Sequence, residues 1–273
     1  MRPHNKFQAA PHVKGLRNVM VNLFFVDSVD APSSWVLIDA GLPAAGPTIL
    51  YEAERLFGRN NPPKAIILTH GHFDHIGGLP FLLRRWQSPV YAHANELPFL
   101  NEGELYPPPD PSVGGGILAG SSTLYPRSAG PLPRAVLSLP EDGAVPGLPD
   151  WRWIASPGHT PGHVSLWREG DRVLISGDAI ISTRQESLLS VWSQKIEVRP
   201  PPAYFTPDWQ AAYDSMRRLR DLDPFILASG HGLPLKGERW RRELDTLLRD
   251  FPRRGLPSEG RYVRETWRTP SAA

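Results

Sequence analysis

The chain has 273 residues, with 30 Lys+Arg against 28 Asp+Glu, a formal net charge of +2 and 40% hydrophobic residues. This describes a folded chain with a sizeable core, and it lacks the strong positive field of a general nucleic-acid binder. Cysteine is absent, which excludes disulfides, thiolate metal sites, iron–sulfur clusters and a cysteine nucleophile, so any metal must be held by carboxylates and the nine histidines.

In chain order, residues 1–14 are polar, contain Pro3 and Pro11 and show no pattern. They lack the apolar stretch of a secretory leader, and no apolar run reaches membrane-spanning length. The expectation is a cytoplasmic protein without membrane attachment. Short apolar, β-branched runs follow at Val21–Val26, Trp35–Ile38, Ala65–Thr69, Pro89–Ala92, Trp151–Ala155, Val164–Trp167, Arg172–Ile175 and Phe225–Ala228. Each is bounded by Gly, Pro, Asp or Ser and reads as a strand. Between them, Asp208–Leu222 carries Trp209, Ala212, Tyr213, Met216 and Leu219 on one helical stripe behind a Pro207-Asp208 start signal. Thr48–Phe57, Gly78–Trp86 and Glu238–Phe251 are further helix candidates. Strands and helices mixed along the whole length predict an α/β (α+β) fold. No repeat or composition shift divides the chain, so it reads as one domain over residues 1–273.

Two stretches stand apart. Residues 95–133 hold Pro107-Pro108-Pro109 and Gly114-Gly115-Gly116, and residues 182–206 hold Pro200-Pro201-Pro202 followed by Tyr204 and Phe205. Long irregular segments in a compact domain read as lids over a site, with mobile surface insertions as the competing reading.

The most informative segment is Thr69-His70-Gly71-His72-Phe73-Asp74-His75-Ile76-Gly77-Gly78, which should sit on the loop leaving the Ala65–Thr69 strand. Three imidazoles and a carboxylate so close together are costly to bury without a partner, and a divalent cation supplies one. Imidazole with carboxylate suits Zn, Fe or Mn rather than Ca or Mg. By composition, His-x-His-x-Asp-His is expected by chance only about 5 × 10⁻⁴ times in such a chain. Three later segments repeat the theme of an apolar strand followed by Gly with His or Asp: Pro157-Gly158-His159, Gly177-Asp178 and Gly230-His231. Glycine there permits tight turns and close backbone approach. The strand ends are therefore expected to converge on one site.

On these segments the chain resembles the metallo-β-lactamase superfamily, from about Val21 to about Leu235. The resemblance implies a four-layer αβ/βα sandwich with a dinuclear site at one edge of its sheets. By position it implies that His70, His72 and His159 hold one metal, that Asp74, His75 and His231 hold the second, and that Asp178 bridges them. Two divalent ions are expected, zinc foremost, with iron or manganese as alternatives. Asp39, in Val36-Leu37-Ile38-Asp39-Ala40-Gly41, matches a position that holds a metal-ligating His from behind, an ordinary turn residue being the competing reading. His163 and His93 read as structural, and His4 and His12 carry no signal.

The branch is narrowed by departures. An Asp at 178 and the missing Cys point away from true β-lactamases and towards acyl-homoserine lactonases, glyoxalase II-type thioesterases and related phosphodiesterases. Residues 239–268 mix nine Arg with five acidic residues, a solvated face rather than an RNA-binding appendage. No basic, tyrosine-bearing glutathione segment is evident. The resemblance thus implies a metal-dependent hydrolase of small-molecule lactones, with Asp74 and Asp178 as catalytic carboxylates and a bridging hydroxide as nucleophile. Thioester or phosphodiester hydrolysis is the alternative, and a mononuclear-iron persulfide dioxygenase a more remote one. Tyr204 is a candidate substrate contact, although a packing aromatic in a Pro-rich loop is the default reading. A small-molecule partner, no nucleic acid, no membrane and a monomer or homodimer complete the expectation.

Overall fold

A computed structural model describes residues 4–28, 34–128 and 130–268. The chain first runs through β1 (His4–Ala10), β2 (Val13–Asn18), β3 (Val21–Asp27), β4 (Trp35–Ile38), α1 (Gly46–Phe57), β5 (Ala65–Ile67), α2 (Phe73–Ile76), α3 (Leu79–Leu82) and β6 (Val90–Ala92). It continues through α4 (Leu97–Asn101), α5 (Ile117–Gly120) and β7 (Leu137–Ser138). The second half comprises β8 (Ala144–Val145), β9 (Leu148–Ala155), β10 (Val164–Arg168), β11 (Val173–Gly177), α6 (Leu188–Ser193), α7 (Trp209–Asp221), β12 (Ile226–Ser229), β13 (Leu235–Lys236), α8 (Glu238–Arg249), α9 (Phe251–Arg254) and α10 (Arg261–Thr266).

The strands form two sheets, one ordered β1 to β7 and the other β13-β12-β11-β10-β9-β8. From β4 to β7 the first sheet is parallel. In the second, β9 and β11 each run antiparallel to β10, and β12 runs parallel to β11. The C-terminal ends of β9, β11 and β12 therefore open on one edge.

The alternation of strand side chains generates the layers. In β4, Trp35 and Leu37 pack with Ile49 and Ala53 of α1, whereas Val36 and Ile38 face the other sheet. Similarly, Leu174 and Leu227 pack with Trp209, Met216 and Leu219 of α7, while Val173, Ile175, Ile226 and Ala228 face inward. Three apolar layers separate four layers of structure, which is the expected αβ/βα sandwich. Each large apolar side chain buried this way contributes roughly 1.5–3 kcal/mol. In α7 the Asp208 carboxylate accepts the Ala211 N–H at 2.9 Å, an N-cap at the expected start.

Two readings need correction. The N-terminal stretch is not unpatterned: β1 and β2 form a hairpin on the sheet edge, Pro3 lying outside the described residues. Phe7 meets Phe24 edge to face at 6.2 Å and covers Gly15, where any Cβ would collide with its ring. As an edge strand β1 buries little, so its sequence carries little apolar signal. The Gly78–Trp86 helix shrinks to the single turn α3, because the chain must extend again into β6 at Val90. Among the described residues, no helix is long and apolar enough to cross a membrane.

Candidate metal centre

The sequence-predicted residues leave the strand ends on the common edge. Asp39 follows β4, His70 lies two residues beyond Leu68 after β5, and His72 caps α2, which carries Asp74 and His75. His159 follows β9, Asp178 follows β11 and His231 follows β12. All are buried, Asp74 the least so with 9% exposure. Two glycines make the approach feasible. Gly177 has φ +50°, and a Cβ there would lie 2.6 Å from the His163 ring. A Cβ on Gly230 would lie 2.2 Å from Asp178 Oδ1.

The seven side chains come together in overlapping groups: His70, His72 and His159; His70, His75 and Asp178; and Asp74, His75 and His231. Within each group the nitrogen and oxygen atoms lie within 4.8 Å of one another. His72 Nδ1 is 2.9 Å from His159 Nε2. Asp178 reaches both sides, with Oδ2 at 3.5 Å from His159 Nε2 and 3.1 Å from His231 Nε2, and Oδ1 at 3.5 Å from His75 Nε2. Asp74 Oδ2 is 3.5 Å from His231 Nε2 and 3.8 Å from His75 Nε2.

The opposite edge of most rings is held. His75 Nδ1 donates to Asp39 Oδ2 at 2.8 Å, and Asp39 also accepts the Thr69 backbone N–H and hydroxyl, each at 2.8 Å. Asp39 adopts φ +59°, a left-handed turn that Asp tolerates better than most side chains. Since the Thr69 hydroxyl donates to Asp39, it is free to accept from His70 Nδ1 at 3.1 Å. His231 Nδ1 donates to the Met20 carbonyl at 2.8 Å. These contacts fix the tautomer and aim each Nε2 inward. His70 Nε2, His75 Nε2 and Asp178 Oδ1 are then left buried without a hydrogen-bond partner. Orphaned buried nitrogen and oxygen atoms aimed at one another, in an all-imidazole and carboxylate set, are what a borderline divalent cation needs.

For His70, His72 and His159 charge reinforces this fit. Burial first, and then the neighbouring imidazoles, hold His70 well below its usual range and His72 down to about 3. Burial also holds His159 well below its usual range. Neutral imidazoles are the metal-binding form. For His75 and His231 burial again pulls downward, but the carboxylates around them prevail and raise both. Asp178 is held well below its usual range, since the His231 and His75 contacts outweigh its burial.

His163 lies outside these groups. Its Nε2 accepts the Asp178 backbone N–H at 2.9 Å, and its Nδ1 donates to the Ser156 hydroxyl at 2.8 Å. His93 accepts the Asn95 N–H at 3.1 Å and packs edge-on against Trp153. His12 pairs with Asp27 at 2.9 Å, on the far hairpin.

A cavity of about 90 Å³ opens on the centre, lined by Met20, His72, Phe73, Asp74, Tyr125, His159, Asp178, Pro202, Tyr204, Phe205 and His231. Both irregular stretches reach it, through Tyr125 and through Tyr204 and Phe205. The Phe205 ring lies 4.8 Å from His72. Burial first, and then Asp74, push the Tyr204 hydroxyl well above its usual range, so it remains a donor.

Sequence reasoning missed Glu96 and Tyr106. Glu96 is fully buried at the turn after β6, with Tyr106 donating to it. Burial pushes its carboxyl up, against the pull of its hydrogen bonds. Tyr106 lies edge-on to His72 at 4.7 Å. A signal was present: β6 runs parallel to β5, so the residues after Ala92 emerge on the same edge as His70.

A model of the metallo-beta-lactamase superfamily matches residues 16–231. The chain is 47% identical over 241 residues to the probable metallo-hydrolase YflN of Bacillus subtilis (strain 168), covering 88% of this chain and 91% of that protein. It is 28% identical to a hydroxyacylglutathione hydrolase of Bdellovibrio bacteriovorus, over 76% of this chain and 61% of that enzyme. Among solved structures, TTHA1623 in a di-iron-bound form superposes with a TM-score of 0.53 at 27% identity, covering 81% of this chain and 92% of that one. With the superfamily model extending over most of the chain and ending on His231 itself, the protein belongs to the metallo-beta-lactamase superfamily.

Proposed function

We propose that this protein is a metal-dependent hydrolase that opens an ester-type bond in a small, uncharged molecule, a lactone in the first place. The observation that carries the reading is the convergence of seven buried His and Asp side chains, with His70 Nε2, His75 Nε2 and Asp178 Oδ1 left without a hydrogen-bond partner among them. In this reading His70, His72 and His159 hold one divalent ion, Asp74, His75 and His231 hold a second, and Asp178 spans both groups. Zinc suits the donor set, and the di-iron form of TTHA1623 supports iron as the alternative. Bound there, the ions supply Lewis acidity towards the substrate carbonyl and lower the pKa of water.

The chain's own residues do the remainder. Asp39, Thr69 and the Met20 carbonyl keep the imidazoles in one tautomer. Among the described residues the Tyr204 hydroxyl has no hydrogen-bond partner; it lines the cavity and, as a donor, serves to bind the carbonyl oxygen of a substrate held there. Asp74, the most exposed of the seven, takes the proton of the attacking water and passes it to the leaving oxygen. Phe73, Tyr125, Tyr204 and Phe205 wall the cavity and exclude bulk water.

The choice of a neutral substrate rests on that lining, which among the described residues holds no Lys or Arg. A charge lying away from the ions calls for such cations, whereas the charge of a phosphodiester is one the two ions would themselves meet, so phosphodiesters stay in the substrate panel. The hydroxyacylglutathione hydrolase relative keeps thioester hydrolysis as the second reading. Metal quantification, run beside turnover of a panel of lactones, thioesters, β-lactams and phosphodiesters, tests both. Two ions per chain with lactones as the best substrates are expected. One iron per chain with oxygen consumption would replace the hydrolase reading.

A further inference from the structure

Glu96 is fully buried, and among the described residues no Lys, Arg or His side chain bonds its carboxylate. An uncompensated carboxylate in such a place is costly, so the groups facing it define its role. Oε2 accepts the Gly71 N–H at 2.9 Å, together with the Tyr106 hydroxyl. Oε1 accepts the Thr160 hydroxyl at 2.7 Å and the Gly162 N–H at 2.8 Å. Gly71 stands between His70 and His72, and Thr160 directly follows His159. One side chain, delivered by the turn after β6, therefore bonds a loop of the first sheet and a loop of the second. The fit is tight on both sides. A Cβ on Gly71 would lie 2.3 Å from the Tyr106 hydroxyl, and one on Gly162 would lie 2.8 Å from Glu96.

We propose that Glu96 is a positioning residue that clamps these two loops together and so sets the spacing of His70, His72 and His159, without itself holding an ion. The inference rests on the metal-centre reading above. Its physical content is selective. Charge-assisted hydrogen bonds to an anionic acceptor preorganise the group drawn from both loops. The Asp74, His75 and His231 group takes its orientation from Asp39 and Met20 instead, and owes Glu96 little.

The test is zinc titration by calorimetry on the purified full chain. Two backgrounds each disable one group, His231→Asn leaving the first and His159→Asn leaving the second. In the His231→Asn background, Glu96→Gln is expected to weaken zinc binding at least about 10-fold, the range in which outer hydrogen-bond partners of metal ligands act. Its amide nitrogen opposes the Gly71 N–H, whereas its oxygen still accepts from Thr160 and Gly162. In the His159→Asn background the same change should shift affinity less than about threefold. Equal losses in both backgrounds, or none in either, overturn the clamp and leave Glu96 a general structural residue. If Glu96→Gln fails to fold by circular dichroism, Thr160→Val, which removes one donor and keeps the carboxylate, should give the same asymmetry at about threefold. Absence of zinc binding by the unmodified chain would overturn the metal reading itself, and the clamp with it.

Discussion

On the side of the strand ends, Asp39, Thr69, His163 and the Met20 carbonyl each hold one member of the centre by a hydrogen bond of 2.8–3.1 Å. The side built from residues 95–133 and 182–206 meets the same centre with rings: Tyr125, Tyr204 and Phe205. Strand ends are stiff, paired on both sides and well suited to hold polar atoms within a few tenths of an ångström. Aromatic side chains on irregular backbone fill space and exclude water, and their identity can change without disturbing the polar floor. On the function proposed above, the chemistry would fall to the floor and the choice of substrate to the roof. The division is incomplete, because Glu96 and Tyr106 come from the first irregular stretch and yet serve the floor.

The variants that test this contrast differ in expected size. Asp178→Ala touches both groups and should act most strongly, lowering metal content and reducing kcat by at least about 10²-fold. Full metal occupancy and unchanged rates would remove the floor from the chemistry. Asp39→Asn comes next: an amide cannot accept from Thr69 and His75 as the carboxylate does, and zinc affinity should fall roughly 10–100-fold. Tyr204→Phe removes a donor from the roof, with an expected loss in kcat of about 10–100-fold at unchanged metal content. If metal content fell instead, the roof would share the work of the floor. Tyr125→Ala should alter the preference between short and long acyl groups by about 10-fold or less while leaving metal binding intact, as a lactone series would reveal.

The smallest effect is expected outside both regions. Glu52 on α1 pairs with Arg55 at 2.6 Å and with Lys6 of β1. Burial raises its carboxyl, but the Arg55 and Lys6 contacts prevail and lower it from 4.5. Its folded pKa lies below the unfolded one, so its stabilisation is present above pH 4.5 and disappears as the pH falls through the folded value. Glu52→Gln should therefore cost about 1 kcal/mol at neutral pH and nothing in strong acid, with metal binding unchanged. Urea melts at two pH values would show it, and a change in metal affinity would mean that α1 and the sheet edge are coupled to the centre.

Much of the floor was legible because its residues lie close together in sequence. His70, His72, Asp74 and His75 fall in one segment, and His159, Asp178 and His231 each follow a recognisable strand beside a glycine. The other residues were hidden for identifiable reasons. Glu96 meets Gly71, Thr160 and Gly162 at 25, 64 and 66 positions away, with Tyr106 nearer at 10, and no local pattern marks it. The β1 strand sits on a sheet edge with polar residues outward, so it carries no apolar run. The residues between 95 and 133 are irregular as expected, yet Glu96, Leu100, Tyr106, Asp110 and Val113 are buried there, anchored by packing that composition does not encode.

By itself, then, the sequence determined the donor chemistry, nitrogen and oxygen without sulfur, and the strand-end placement of each candidate ligand. Only the tertiary structure decided which atoms face one another, which carboxylate joins the two loops and which rings close the cavity. The reason is physical: spacing along a strand or tight turn dictates local direction, whereas contacts between separate strand ends depend on how two sheets are brought into register by their shared apolar core.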